Sequence, residues 1–154
     1  MDDPATMTIA GAADAAAIRA LTREAYGKWV AVAGREPLPM RIDYAEALTR
    51  HRFDLLHVGN RLAALIETVA QGDDLLIVNV AVRPAFQGRG FGVRLIKFAE
   101  DLAASAGLQR TRLYTNKLFA ANLQLYASLG YSVEKEEALN GGVAVHMVKP
   151  RASR

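Results

Sequence analysis

Apolar residues along the chain fall into short segments whose spacing alternates between that of a strand and that of a helix. Apolar or alternating segments predict strands at residues 7–10, 53–58, 62–70, 75–82, 111–115, 131–134 and 143–148. Helical spacing predicts a helix that begins after an Asp14 N-cap and continues to Trp29, and further helices over 42–50, 91–107 and 118–130. The order β-α-α-β-β-β-α-β-α-β-β predicts an α/β (α+β) fold, with a mixed sheet covered by helices.

Three neighbouring strand segments are joined by short polar turns. Gly59-Asn60 separates the segments at 53–58 and 62–70, and residues 71–74 separate 62–70 from 75–82. Such spacing is typical of consecutive antiparallel strands. The segment at 75–82 is apolar on both faces, so we expect it at the centre of the sheet. Asn140-Gly141-Gly142 predicts the turn between the last two strands.

The composition is that of one globular domain, which we expect over residues 6–150 with tails at 1–5 and 151–154. The chain has 154 residues, of which 51% are apolar and 23% charged, and this balance argues against disorder. It contains no cysteine, which excludes disulfides, thiolate metal sites and a cysteine nucleophile. The three histidines lack metal-ligand spacing, so we expect no metal. The apolar segments are too short to span a bilayer, and the N-terminus does not resemble a signal peptide, so the expected location is cytoplasmic.

Positive charge is concentrated in one part of the chain. Residues 83–117 contain seven arginines or lysines and two acidic residues, although the net charge is only +3. This segment predicts either a solvated basic face or a site for a negatively charged ligand.

A glycine-rich loop begins this basic segment. The sequence Gln87-Gly88-Arg89-Gly90-Phe91-Gly92-Val93 lies between a buried strand and a helix. Glycines let the backbone approach a ligand closely, and unpaired amides at a helix N-terminus attract anions. The spacing does not match the dinucleotide-binding fingerprint or the P-loop. The loop therefore predicts a phosphate site of another kind.

The sequence resembles the GCN5-related N-acetyltransferase (GNAT) family. The resemblance rests on Gln87-x-x-Gly90-x-Gly92 after Val80-Ala81-Val82, on Asn122-x-x-x-Tyr126-x-x-x-Gly130-Tyr131, and on the order of elements over nearly the whole chain. It implies a GNAT-type mixed, mostly antiparallel sheet of about seven strands with about four flanking helices. In that fold the fourth and fifth strands are splayed apart, and acetyl-CoA binds in the gap.

The resemblance also implies roles for individual residues. It assigns the CoA pyrophosphate to the backbone amides of residues 87–93, with the side chains of Arg89, Arg94 or Lys97 near the 3′-phosphate. It assigns the pantetheine arm to the backbone of Val80, Ala81 and Val82 and to Asn122. Tyr126 would protonate the departing thiolate, although a tyrosine here also suits a helix core. Asn116 could contact CoA or cap the next helix.

The resemblance does not identify a general base, because this chain departs from the family pattern. The positions where the family often has Glu or His hold Leu76 and Val78. If strands 62–70 and 75–82 pair around the turn at 71–74, Glu67 faces Val78, and its carboxylate is then a candidate base. A one-residue shift would turn Glu67 away and leave it a solvated strand residue. His146 is a second candidate, and His51 and His57 have no partner pattern.

Trp29, Arg41, Asp43 and Tyr44 fall where the family forms its acceptor pocket. Asp43 is better explained as the N-cap of the second helix, and Trp29 as a core residue of the first.

The sequence therefore predicts an N-acetyltransferase that moves the acetyl group of acetyl-CoA directly to a primary amine of a small molecule or a peptide. Members of the family are often dimers, so the resemblance implies a homodimer. No nucleic acid or membrane partner is expected. One alternative is a catalytically inactive acyl-CoA sensor. A nucleic-acid-binding domain is another, and it lacks a ladder of stacking aromatic residues.

Overall fold

The computed structural model describes residues 4–139 and 142–151. Its strands are β1 Ala5–Ile9, β2 Arg52–Val58, β3 Arg61–Gln71, β4 Asp74–Val82, β5 Arg110–Asn116, β6 Ser132–Leu139 and β7 Gly142–Pro150. Its helices are α1 Ala15–Tyr26, the single turn α2 Val30–Ala33, α3 Tyr44–Arg50, α4 Phe91–Ser105 and α5 Ala120–Ser128. This order of strands and of the four longer helices confirms the predicted fold class.

The strands form one seven-stranded sheet in the order β1-β2-β3-β4-β5-β7-β6. Every neighbouring pair is antiparallel except β4 and β5, which are parallel. Residues Asp74–Ile77 of β4 pair with Arg110–Leu113 of β5, and beyond them the two strands part. The predicted splay of the fourth and fifth strands is therefore present.

Each face of the sheet has its own hydrophobic core. On one face, Ile18 and Leu21 of α1 and Tyr44 of α3 pack on Phe53, Leu55 and Leu65. On the other face, Leu95, Ile96 and Ala99 of α4 pack on strand residues that include Ile66 and Ile77. Helices on both faces explain why β4 is apolar on both faces, except at Asp74 and Asn79.

A β-bulge changes the predicted register between β3 and β4. Ala70 pairs with Leu75 as expected, but Glu67 pairs with Asn79 and not with Val78. The register shifts between Glu67 and Thr68, and Val78 is the additional residue on β4. The predicted pairing of Glu67 with Val78 is therefore wrong. The bulge reverses the alternation of side chains along β4, so that Asn79 and Ala81 face α1 and α3.

The last two strands form a hairpin at one edge of the sheet. β6 is exposed along its whole length and extends further than the segment predicted at 131–134. Its charged residues, Glu134 to Glu137, protect an edge that would otherwise invite pairing with another chain. Asn140 and Gly141 of the predicted turn lie outside the described residues.

Among the described residues, no helix has the length and apolar character needed to cross a membrane.

Candidate active site

The parting of β4 and β5 opens a cleft in the middle of the sheet. A cavity of about 430 Å³ occupies it, lined by Ile77–Val80 of β4 and Leu113–Asn116 of β5. One wall is formed by side chains on the face of the sheet that carries α1 and α3, and we call it the α3-side wall: Tyr26, Tyr44, His51, Glu67, Asn79 and Tyr114. The α5-side wall contains Phe119, Asn122 and Tyr126.

A carboxylate and an imidazole pair in the α3-side wall. Glu67 is 3% exposed, and its Oε2 lies 2.6 Å from Nδ1 of His51. Burial raises the pKa of Glu67 above its usual value, and the hydrogen bond and charge of His51 act in the opposite direction. The His51 side chain is 29% exposed, so it connects a buried carboxylate with the solvent beside the end of α3.

Next to Glu67, Asn79 is held by α1. The Tyr26 hydroxyl donates to Oδ1 of Asn79 at 2.7 Å, and the carbonyl oxygen of Val80 lies 3.2 Å from the same hydroxyl. Burial, with smaller contributions from Tyr126, Tyr44 and other groups, raises the pKa of Tyr26 well above the usual value of a tyrosine. Tyr26 therefore remains a hydrogen-bond donor at neutral pH.

Helix α5 forms the opposite wall with residues spaced along one of its faces. Asn122 and Tyr126 are four residues apart, which puts them on one face of the helix, and both line the cavity. Burial raises the pKa of Tyr126 to about 12, so its phenol carries a proton throughout the physiological range. Nδ2 of Asn122 lies 3.5 Å from Oγ1 of Thr115.

The glycine-rich loop lies where β4 leads into α4. Gly88 and Gly90 have φ values of 80° and 81°, which other residues rarely adopt, and Gly90 is the N-cap of α4. The amide of Gln87 is already bonded to the Pro84 carbonyl at 3.2 Å. Within the described chain, the amides of residues 88–93 donate to no backbone carbonyl. These amides and the helix dipole are therefore available to a phosphate.

The side chain of Gln87 is also engaged, so it shapes the loop. Its Nε2 donates to the Val82 carbonyl at 3.0 Å, and its Oε1 accepts from Lys28 at 3.3 Å. The Val82 carbonyl, one of the backbone groups predicted to face the pantetheine arm, therefore already accepts a hydrogen bond.

Tertiary pairing reduces the free positive charge of residues 83–117. Arg83 pairs with Glu24 and donates to the Leu62 carbonyl, and Lys117 pairs with Glu136. Arg110 and Arg112 bind Asp74 at the other end of the sheet. Near the loop, the Arg89 guanidinium lies 5.3 Å from the centre of the Phe86 ring, and the side chains of Arg94 and Lys97 are exposed.

The remaining candidates are partly brought together. Arg41, Asp43, Tyr44 and Asn116 line the cavity. Asp43 caps α3 by accepting from the amides of Ala45 and Glu46, as predicted. Oδ1 of Asn116 accepts from the amide of Leu118 at 2.9 Å, in a local turn before α5. Trp29 is only partly buried and stacks on Phe119 at 4.4 Å, so it links the end of α1 to the α5-side wall and is not a core residue.

His146 does not line the cavity. Its Nε2 lies 3.2 Å from Glu137 of β6, and its ring lies beside that of Tyr114 at 5.6 Å. Met147, the next residue along β7, points into the core.

Sequence reasoning missed four residues of the α3-side wall: Tyr26, His51, Asn79 and Tyr114. His51 follows α3 and meets Glu67 only because Phe53 pairs with Glu67 across β2 and β3. That register includes another shift, between Leu56 and His57. The polar Asn79 inside an otherwise apolar central strand was the available signal.

The chain matches known acetyltransferases. The Acetyltransferase (GNAT) family model matches residues 16–131. The chain is also similar to the [ribosomal protein bS18]-alanine N-acetyltransferase of Salmonella typhimurium, with 34% identity over 77 residues. That alignment covers 50% of this chain and 52% of the relative, so the chain matches about half of the relative's length.

Solved structures of acetyltransferases share the fold. The PaiA N-acetyltransferase of Thermoplasma acidophilum, crystallised with coenzyme A, aligns over 94% of this chain and 99% of its own, with a TM-score of 0.79 and 17% identity. The ribosomal-protein-S18-alanine N-acetyltransferase of Escherichia coli aligns over 98% of this chain and 96% of its own, with a TM-score of 0.79 and 21% identity. With its family match over most of the sequence, a seven-stranded sheet splayed between β4 and β5, and a glycine-rich loop at the N-terminus of α4, the chain belongs to the GNAT acetyltransferase family.

Proposed function

We propose that this protein transfers an acetyl group from acetyl-CoA to a primary amine, by direct attack within a ternary complex. The observation that carries the proposal is that Glu67 and Tyr126, a buried carboxylate and a protonated phenol, line one cavity between the splayed strands. Amine attack on a thioester needs both a group that takes a proton and a group that gives one.

Acetyl-CoA fits the loop and the cleft. The amides of residues 88–93 would hold the pyrophosphate at the positive end of α4, and Arg89, Arg94 or Lys97 would meet the 3′-phosphate. The pantetheine arm would enter between β4 and β5, along residues 80–82 of β4, beyond the point where β5 stops pairing with it, and beside Asn122. The thioester would then lie between the α3-side wall and Tyr126.

The reaction follows from these positions. The amine nitrogen attacks the thioester carbonyl carbon, a C–N bond forms, and the nitrogen loses its proton to Glu67 directly or through a water molecule. The C–S bond breaks, and the thiolate takes the proton of the Tyr126 hydroxyl. Glu67 passes its proton through His51 to solvent, and solvent reprotonates Tyr126. The products are an N-acetylated amine and free coenzyme A.

A primary-amine acceptor agrees with the activity named for the Salmonella relative. The Salmonella relative carries the name of an enzyme that acetylates an alanine of a ribosomal protein. The cavity of about 430 Å³ has room for a peptide N-terminus or for a small amine.

The test measures coenzyme A binding by calorimetry and thiol release from acetyl-CoA with a panel of amines. We expect binding and thiol release in the unmodified protein. Glu67→Gln should lower kcat about 10²-fold or more, and Tyr126→Phe about 10²-fold, because each removes one proton-transfer group. Both variants should still bind coenzyme A.

The second Glu–His pair provides a matched control. Glu137 and His146 lie outside the cavity, and Glu137→Gln should leave the rate unchanged. A loss of activity in His146→Gln, with full activity in Glu67→Gln, would move the base to His146. Binding of coenzyme A without thiol release for any amine would identify the alternative, an acyl-CoA sensor. Absence of coenzyme A binding would overturn both.

A further inference from the structure

The side chain of Asn79 has a buried hydrogen-bond donor for which no described residue provides an acceptor. The residue is 4% exposed, and its Nδ2 is the one buried side-chain nitrogen or oxygen in the described part of the chain without a hydrogen-bond partner. A buried polar group left unpaired destabilises a protein. Its retention at the centre of an apolar strand therefore points to a partner that is absent from the free protein.

One hydrogen bond orients this amide. Oδ1 accepts the hydrogen bond of Tyr26 at 2.7 Å, so Nδ2 is the end of the amide that remains for another group. Tyr26 belongs to α1, which places the Asn79 side chain on the α3-side wall of the cleft.

Asn79 also stands directly beside the proposed base. It pairs with Glu67 across β3 and β4, and directly opposed side chains share one face, with Cβ atoms about 4.5–5.5 Å apart. Glu67 and Asn79 thus both line the cavity, on the wall opposite Tyr126 and Asn122. A molecule that satisfies both presents an amine to Glu67 and an oxygen acceptor to Asn79, and the two groups are close neighbours in its covalent structure.

From this arrangement we infer that the acceptor carries a neutral carbonyl oxygen two bonds from the carbon that bears its amine nitrogen, as an amino acid amide or a peptide N-terminus does. This inference rests on the proposed acetyl transfer. The carbonyl oxygen accepts from Nδ2 of Asn79 while the amine faces Glu67. A carboxylate in place of the amide would bring a second negative charge beside Glu67 in a buried site, which is unfavourable.

The test compares three small probes that share one carbon frame. L-alaninamide has the amine and the amide carbonyl, isopropylamine has the amine and no carbonyl, and L-alanine has a carboxylate. Their dissociation constants are measured by calorimetry with and without coenzyme A, and each is corrected to the same protonation state of the amine. We expect L-alaninamide to bind about tenfold or more tightly than isopropylamine, since one buried hydrogen bond separates them, and more tightly than L-alanine.

Asn79→Leu removes the donor and preserves the side-chain size. It should reduce the preference for L-alaninamide over isopropylamine to less than about threefold. Tm should change little, because the unsatisfied Nδ2 is removed and the Tyr26 hydroxyl, which loses Oδ1, retains the Val80 carbonyl as an acceptor. Gln109→Leu, an amide-to-leucine change at an exposed position, should retain the full preference. Tyr26→Phe, which frees the Asn79 amide to rotate, should reduce the preference partially.

Several outcomes contradict the inference. Equal binding of L-alaninamide and isopropylamine, tighter binding of L-alanine, or no detectable binding of L-alaninamide would overturn it, even if coenzyme A binds and thiol is released. A loss of affinity for all amines alike in Asn79→Leu would show that Nδ2 does not bind the carbonyl group of the acceptor. Failure of coenzyme A to bind would count against the proposed function. The preference for L-alaninamide over isopropylamine can still be measured in the absence of coenzyme A, so the two failures are distinguishable.

Discussion

The protonation of Glu67 depends on one neighbour, His51. Burial raises the pKa of the carboxyl, and the 2.6 Å hydrogen bond to His51 limits that rise. Only the ionised carboxylate can take a proton from the amine, so activity should fall as pH drops through the Glu67 pKa. Removing His51 should raise that pKa further, because the stabilising partner of the charged form is lost.

We therefore expect His51→Ala to shift the acidic limb of the kcat/KM profile to higher pH. His51→Gln, which keeps a hydrogen-bond donor, should shift it less. The measurement is the rate of thiol release across the pH range, and His146→Gln serves as the comparison at the other Glu–His pair. A limb that stays in place in His51→Ala would show that His51 only supports the structure.

Among the elements, the loop before α4 contains glycines of two kinds: those that the backbone conformation requires and one that it does not. Gly88 and Gly90 have positive φ, so an alanine at either position is strained by about 1–2 kcal/mol. Gly92 has an ordinary helical position, and a Cβ there would lie 3.9 Å from Val82, which is normal contact. The first two glycines are thus required by the backbone, and the third is not.

This difference gives a prediction for Gly92. Gly92→Ala should maintain or increase the free energy of unfolding, by up to about 1 kcal/mol, since alanine favours the helix. Under the proposed binding mode, in which the pyrophosphate approaches the amides of residues 88–93, the added methyl group should crowd it and weaken coenzyme A binding. Urea denaturation and calorimetry measure the two effects.

Gly107→Ala is the matched control for strain without a ligand. Gly107 follows the other end of α4, with a φ of 75° and open space around its Cα. Its substitution should destabilise the fold about as much as Gly88→Ala does and should leave coenzyme A affinity unchanged. Unchanged affinity in Gly92→Ala would argue that the loop does not contact the pyrophosphate.

At the scale of the whole sheet, Asp74 links β4 to β5 at the end where these two strands are still paired. Its carboxylate accepts hydrogen bonds from Arg110, at 2.6 Å, and from Arg112, and Arg112 also binds Glu134 of β6. Burial alone would raise the pKa of Asp74, but the hydrogen bonds from Arg112 and Arg110 outweigh it and hold the pKa below its usual value. This network joins β4, β5 and β6 at the end of the sheet where β4 and β5 still pair.

Asp74→Asn should lower the free energy of unfolding by about 2 kcal/mol at neutral pH, since it leaves two arginines without their shared partner. A lowered pKa stabilises the fold above the unfolded value of about 3.9, and this contribution disappears as pH falls through the folded value. The difference between the variant and the original protein should therefore shrink below about pH 4. Urea denaturation at several pH values measures it, and a difference independent of pH would contradict the charge-based explanation.

Much of the fold was predictable because its signals are local. Hydrophobic spacing placed the strands and the four longer helices, and Asp43 was identified as the cap of α3 from its type and position. The glycine spacing at 88, 90 and 92 and the four-residue interval from Asn122 to Tyr126 indicated the two sides of the cleft. Each of these features depends on residues that are neighbours in sequence.

The α3-side wall could not be predicted in the same way. Two register shifts, at Glu67/Thr68 and at Leu56/His57, decide which residues oppose one another, and neither leaves a distinct mark in the sequence. A one-residue shift exchanges the two faces of a strand, so the predicted neighbour of Glu67 was Val78 and the observed neighbour is Asn79. The pairing with His51 follows from the same geometry.

The sequence by itself determined the order of elements, the positive-φ glycines and the family resemblance, because local sterics and hydrophobic periodicity suffice for these. Only the tertiary structure decided which charges stay free and which side chains share the cleft. Ion pairs such as Arg83 with Glu24 and Arg112 with Asp74 form between residues far apart in the chain. Strand register, set by packing on both faces of the sheet, brings Glu67, His51 and Asn79 to one wall.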